Sequence, residues 1–214
     1  MNDILCADAL LHDEVVHDEA LPDVGLHGVD GLEPFAPVRA HAQVVVLVHR
    51  QVQGREAARA AEFRGEYRIL GTDIDSGSLA IAIANAKKAG VSKYIEFREA
   101  DATRESLPCD CGVIVCNPPY IPTQDIETLD VSVRDYEPHM ALDGGEDGLE
   151  FYRAISENWR EALHPGARLY FEVGIGQADS VLRIMRRQGF GELEIVPDTA
   201  GIPRVVYGTL YNEI

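Results

Sequence analysis

The sequence predicts an α/β domain built around a parallel sheet. Three observations carry this. From about residue 65 onward, short β-rich runs alternate with segments of helical period. The run GVIVC (112–116) is apolar at nearly every position, the pattern of a strand covered on both faces. Three polar residues, Asp73, Asp101 and Asn117, each close a strand-like run, where open parallel sheets bind their ligands.

Taken in order, YRILGTDI (67–74) reads as a strand. SGSLAIAIANAKKAG follows as a helix, with Ser76 as the expected N-cap and Gly90 as the stop. KYIEFREAD alternates like a strand and ends at Asp101, and GVIVC is the next strand. EDGLEFYRAISENWREALHPG puts Leu149, Tyr152, Ile155, Trp159 and Leu163 on one helical face and stops at His-Pro-Gly. Trp159, on that apolar stripe, is expected in the core. ARLYFEVG is a strand, and GQADSVLRIMRRQGF is a helix ending at Gly189. GELEIVPD and PRVVYGTL form a last pair of strands. Residues 1–64 differ in texture, with scattered Gly and Pro and little periodicity. They divide from 65–214, yet VVVLV and GREAARAAEF within them have the character of a first strand and helix for the same sheet.

The bulk numbers exclude some classes of function. A formal net charge of −17 over 214 residues argues against a nucleic-acid partner, since phosphate neutralisation needs clustered Lys and Arg. No run is long and apolar enough to span a bilayer. The N-terminal text MNDILCADALLHDEVVHDE is acidic where a signal peptide is basic, so a cytoplasmic location and no membrane partner are expected. Cys6, Cys109, Cys111 and Cys116 lack metal-ligand spacing and read as reduced thiols. No metal site is expected.

The segment NPPYIP (117–122) carries the chemistry. A side-chain amide offers an acceptor and two donors in one plane. Pro118 and Pro119 stiffen the chain, and the residue before a proline is held extended, which fixes Asn117 at the end of its strand. The Pro118 carbonyl is positioned to accept a second hydrogen bond, and Tyr120 can lie against a flat group. This is a clamp for a planar nitrogen bearing N–H bonds. It contains no nucleophile, metal ligand or strong base, so it suits methyl transfer from an already activated sulfonium, where alignment supplies most of the advantage. A rigid turn at a strand end is the plainer alternative. For Asp73 and Asp101 the plainer alternative is helix capping.

NPPYIP, with VRDYEPHMALDGGEDGLEFYRAI, LYFEVGIGQ and AGIPRVVYGTL downstream, resembles the protein-(glutamine-N5) methyltransferases of the HemK/PrmC family, from about Gly71 to Leu210. The resemblance implies a Rossmann-like class I methyltransferase fold: a mostly parallel sheet with an antiparallel C-terminal strand pair, and 65–214 as the methyltransferase domain. It implies S-adenosylmethionine as cofactor and a peptide-chain release factor as protein partner. Asn117 and the Pro118 carbonyl would hold the target glutamine amide, with Tyr120 packed on it. Asp73 with Ile74, Asp101 with Ala102, Asn117, and Gly54 would contact the cofactor, Asp73 at the ribose hydroxyls and Asp101 at the adenine amino group. Asp143–Gly148 would form a loop near the substrate mouth.

One departure stands out. A glycine-rich loop is expected near Val48–Gly54, and VHRQVQG stands there, with only Gly54 fitting. Divergence, loss of donor binding or an altered reading frame would each account for it. Two rival functions therefore stay open: methylation of adenine or guanine amino groups, and a catalytically dead binding module.

Overall fold

The computed structural model describes residues 43–47, 68–106, 111–134 and 138–211. Strand β1 (Gln43–Leu47) is followed by β2 (Arg68–Asp73), helix α1 (Ser76–Lys88), β3 (Ile95–Glu99) and β4 (Cys111–Cys116). After a 3-10 turn at Thr123–Thr128 come two short helices, α2 (Val131–Arg134) and α3 (His139–Leu142), then α4 (Glu150–Asn158). Strand β5 (Leu163–Glu172), helix α5 (Ala178–Arg187) and strands β6 (Phe190–Pro197) and β7 (Pro203–Leu210) complete the order.

The described strands form one seven-stranded sheet in the order β3-β2-β1-β4-β5-β7-β6. The first five strands pair in parallel, and β7 lies antiparallel to both β5 and β6. This matches the mostly parallel sheet with an antiparallel C-terminal strand pair. Strand order reverses about β1, whose last residue, Leu47, pairs with Thr72 on one side and Cys116 on the other. A reversal of this kind opens a crevice at the carboxyl ends of the flanking strands.

Local chemistry explains the element ends. The N-cap of α1 is Asp75, one residue before the expected Ser76: its carboxylate accepts from the Ser78 amide at 2.8 Å and hydroxyl at 2.7 Å. At the other end Gly90 takes φ +75, and the Gly90 and Val91 amides donate to Lys87 and Ala86 carbonyls, a paired closure that favours glycine. The His-Pro-Gly stop after α4 is instead the irregular start of β5. Leu163 pairs with Cys111, and the ladder resumes only at Arg168 opposite Val113. A bulge absorbs the residues between, and the helix itself has already ended at Asn158, with a 3-10 turn at Arg160–Ala162 leading into the strand.

The core lies between the sheet and helices α4 and α5. Tyr152, Ile155 and Trp159 pack with Val181 and Met185 against Ile114, Leu169, Phe171 and Val206, all buried. The expected apolar face of α4 is thus the buried one, and each such side chain contributes about 1.5–3 kcal/mol on burial. Tyr152 meets Phe171 edge to face at 5.2 Å. Cys111 is disulfide-bonded, contrary to the expectation of four thiols, whereas Cys116 is a free, buried thiol. No helix among the described residues is long and apolar enough to cross a membrane.

Candidate active site

A cavity of about 310 Å³ opens at the carboxyl ends of β2, β3 and β4. Asp73 and Ile74 form one wall, Ala100 to Thr103 a second, and Cys116, Pro118 and Pro119 a third. His139, Met140 and Asp143 reach it from α3 and the following loop, and Phe151 and Ile155 from α4. Its volume falls at the small end of the range for organic ligands.

Asp73 is 3% exposed and its Oδ1 accepts the Asp75 amide at 2.8 Å. The carboxylate that caps α1 is Asp75's, so capping does not account for Asp73. Asp101 is more occupied: Oδ1 accepts from the Thr103 amide at 3.0 Å and hydroxyl at 2.6 Å, and Oδ2 lies 3.1 Å from the Arg104 guanidinium. Arg104 is solvent-exposed, so that ion pair is weak. Asp101 therefore shapes its own loop as well as lining the cavity.

That loop is also held from α4, a link the sequence did not disclose. The Trp159 indole N–H donates to the Ala102 carbonyl at 3.0 Å, and the Asn158 side-chain amide donates to the Thr103 carbonyl at 2.6 Å. Trp159 is fully buried, as expected of core, and it fixes a cavity wall in addition.

Asn117 is half-buried between Cys116 and Pro118, both of which line the cavity, but neither Asn117 nor Tyr120 is a lining residue. The cavity thus brings together Asp73, Ile74, Asp101, Ala102 and Pro118, with Asn117 and Tyr120 just beyond its edge. Gly54 lies outside the described residues. Among the described residues no cluster of His, Cys, Asp and Glu could hold a metal ion. Burial pushes the Cys116 thiol far up, with the Glu172 charge adding to it, so it stays protonated.

The Asn-Pro-Pro-Tyr segment is braced by the loop after α3. Ile121 donates to the Leu142 carbonyl at 3.0 Å, and Gly144 donates to the Ile121 carbonyl at 2.8 Å. A Cβ on Gly144 would sit 2.8 Å from Tyr120 backbone atoms, so only glycine permits this approach. Asp143 accepts from the Thr123 hydroxyl at 2.7 Å and the Gly145 amide at 3.0 Å. The Thr123 bond is the main cause holding its carboxyl below the usual range. Gln177, before α5, donates to the Tyr120 carbonyl at 2.8 Å.

The sheet order, the inserted antiparallel strand and the cavity at the strand ends define a class I methyltransferase fold. A methyltransferase from Pyrococcus furiosus superposes with a TM-score of 0.56 at 12% identity, covering 80% of this chain and 75% of that one. The UPF0020 family model, an RMKL-like methyltransferase domain, matches residues 35–125, beginning upstream of the change in texture. By sequence the matched region is HemK/PrmC-like. The release factor glutamine methyltransferase of Geobacter sulfurreducens is 42% identical over 143 residues, 67% of this chain and 50% of that protein. The protein of the same name from Thermodesulfovibrio yellowstonii is 39% identical over 142 residues, 66% and 50% respectively. The chain spans about half the length of the curated relatives it matches.

Proposed function

We propose that this chain transfers a methyl group from S-adenosylmethionine to the side-chain amide nitrogen of a glutamine in a peptide-chain release factor, in the cytoplasm. The single observation that carries the reading is the cavity: two strand-end carboxylates and apolar walls meet in one hollow whose edge is the Asn-Pro-Pro-Tyr segment. The similarity to release factor glutamine methyltransferases supports the choice of acceptor.

The residues present fit the cofactor. Asp73 is a buried carboxylate suited to a pair of vicinal hydroxyls. Ile74, Ala102, Phe151 and Ile155 offer apolar surface to a flat ring, and Asp101 offers an acceptor for an amino group at its edge. In this reading residues 1–64 supply the first strand, β1, and 65–214 supply the rest of the domain. When bound, S-adenosylmethionine supplies a methyl group already activated by its sulfonium.

The chain's own residues then have to align the acceptor. The Asn117 side-chain oxygen and the Pro118 carbonyl each accept one N–H of the target amide, and Tyr120 packs on its plane. Two accepted hydrogen bonds raise electron density on the nitrogen and fix its direction of approach. The proton released on transfer passes to water or a carbonyl, so no dedicated base is required. Methyl-labelled donor, offered with release factor or with RNA, tests the assignment. Label on a glutamine of the release factor is expected, and label on RNA alone would refute it.

A further inference from the structure

Four hydrogen bonds converge on one side chain that the reaction scheme does not use. The Gln177 Nε2 donates to the Tyr120 carbonyl at 2.8 Å and to the Gly148 carbonyl at 3.2 Å. Its Oε1 accepts from the Gly174 amide at 3.1 Å and from the Tyr152 hydroxyl at 3.5 Å. A carboxamide offers two donor hydrogens and two acceptor lone pairs on its oxygen, and here each has a partner. The orientation of the amide is fixed by those partners: two carbonyls face one end, an N–H and an O–H the other.

The partners come from four separate places in the chain. Tyr120 belongs to the segment after β4, Gly148 to the loop before α4, Tyr152 to α4 itself, and Gly174 to the turn after β5. The two glycines approach so closely that larger residues are excluded there. A Cβ on Gly174 would lie 2.7 Å from Gln177 Oε1 and 2.8 Å from the Tyr120 ring, and one on Gly148 would collide with the Tyr120 carbonyl oxygen. Tyr152 is fully buried, and its single O–H is shared: the Glu172 carbonyl at 3.0 Å is the main acceptor, and Gln177 Oε1 takes the weaker, longer branch. Burial holds this phenol protonated, so it acts as a donor.

We propose that Gln177 is a positioning residue: its carboxamide fixes the Asn117–Tyr120 segment against the rest of the domain, so that the Asn117 amide and Pro118 carbonyl meet the acceptor nitrogen in register. The catalytic consequence rests on the function proposed above; the clamp itself does not. Gln177 does not line the cavity, and works through the Tyr120 carbonyl. Its effect therefore falls on transfer and not on donor binding.

Two substitutions test this. Gln177→Leu keeps the bulk and removes every hydrogen bond. Gln177→Glu keeps the shape but turns both donor hydrogens into a carboxylate oxygen facing two carbonyls, so it replaces attraction with repulsion. Both are expected to lower kcat by about a hundredfold, the cost of an ångström-scale misplacement, with S-adenosylhomocysteine affinity unchanged. Hydrogen exchange across residues 117–123 is expected to quicken while exchange in β5 and β7 stays slow. For Gln177→Glu, protonating the carboxyl restores one donor, so the ratio of variant to wild-type kcat should rise as pH is lowered towards 5. Should Gln177→Leu fail to fold, Gln177→Glu carries the test alone. Unchanged exchange in 117–123 would overturn the clamp. Donor affinity falling in step with kcat would overturn the positioning role. If the wild-type chain transfers no methyl group, the proposed function fails, and the exchange measurement still decides whether Gln177 holds the segment.

Discussion

Asp73→Asn isolates the contribution of the strand-end carboxylate to donor binding. Asp73 is 3% exposed and lines the cavity, and its Oδ1 already accepts the Asp75 amide. Asparagine keeps one acceptor oxygen, so that local bond survives and the turn into α1 should hold. What is lost is the charge and the second carboxylate oxygen, hence one charge-assisted hydrogen bond to a ribose hydroxyl. Such a bond is worth about 1.5–3 kcal/mol, which corresponds to roughly a ten- to hundredfold weaker Kd at about 1.4 kcal/mol per decade. Calorimetric titration of wild type and variant with S-adenosylhomocysteine measures it directly, with melting temperature as the control for folding. A variant that folds normally and binds as tightly as wild type would refute the assignment of Asp73 to the donor.

Asn117→Ala should abolish transfer while leaving S-adenosylhomocysteine affinity nearly intact, as read by labelled-methyl transfer and calorimetry on the same preparation. Tyr152→Phe removes the donor to Glu172 and Gln177 from a buried site and should cost about 1–3 kcal/mol, measured as a shift in urea midpoint. Gly148→Ala places a Cβ at φ +70 against the Tyr120 carbonyl and should destabilise by at least about 1 kcal/mol in the same assay. Asp143 has its folded pKa depressed, so its contribution to stability is complete above the unfolded carboxylate value near ~3.9 and disappears as pH falls through the lower folded value. Thr123→Val removes the largest cause of that depression, so the loss of stability between neutral pH and pH 3 should be smaller in the variant than in wild type.

Much of this was legible because the relevant signals are local. The five parallel strands and the closing pair follow from β-rich runs separated by helical period, and the apolar stripe of α4 is the stripe that packs. Asn-Pro-Pro at the end of a buried strand announces a stiff polar group at a sheet mouth from three residues alone. Where local signals compete or distant residues meet, the sequence is silent. Ser76 and Asp75 are both good caps, and only backbone geometry selects Asp75. His-Pro-Gly reads as a helix stop by its chemistry, but the helix has already ended at Asn158 and a bulged strand runs through it. Gln177 and Tyr120 stand 57 residues apart, as do Trp159 and Ala102, and no periodicity links them. The short helices at Val131–Arg134 and His139–Leu142 are too brief to show a period. Cys111 gave no sign of its disulfide, because spacing alone does not report pairing.

The most direct test of the account is mass spectrometry of a release factor incubated with this chain and methyl-labelled S-adenosylmethionine. A single labelled methyl on a glutamine side chain, absent with Asn117→Ala, is the predicted result. An unlabelled release factor under conditions where the chain binds S-adenosylhomocysteine would contradict it, because the donor site would then exist without the acceptor clamp it is proposed to serve.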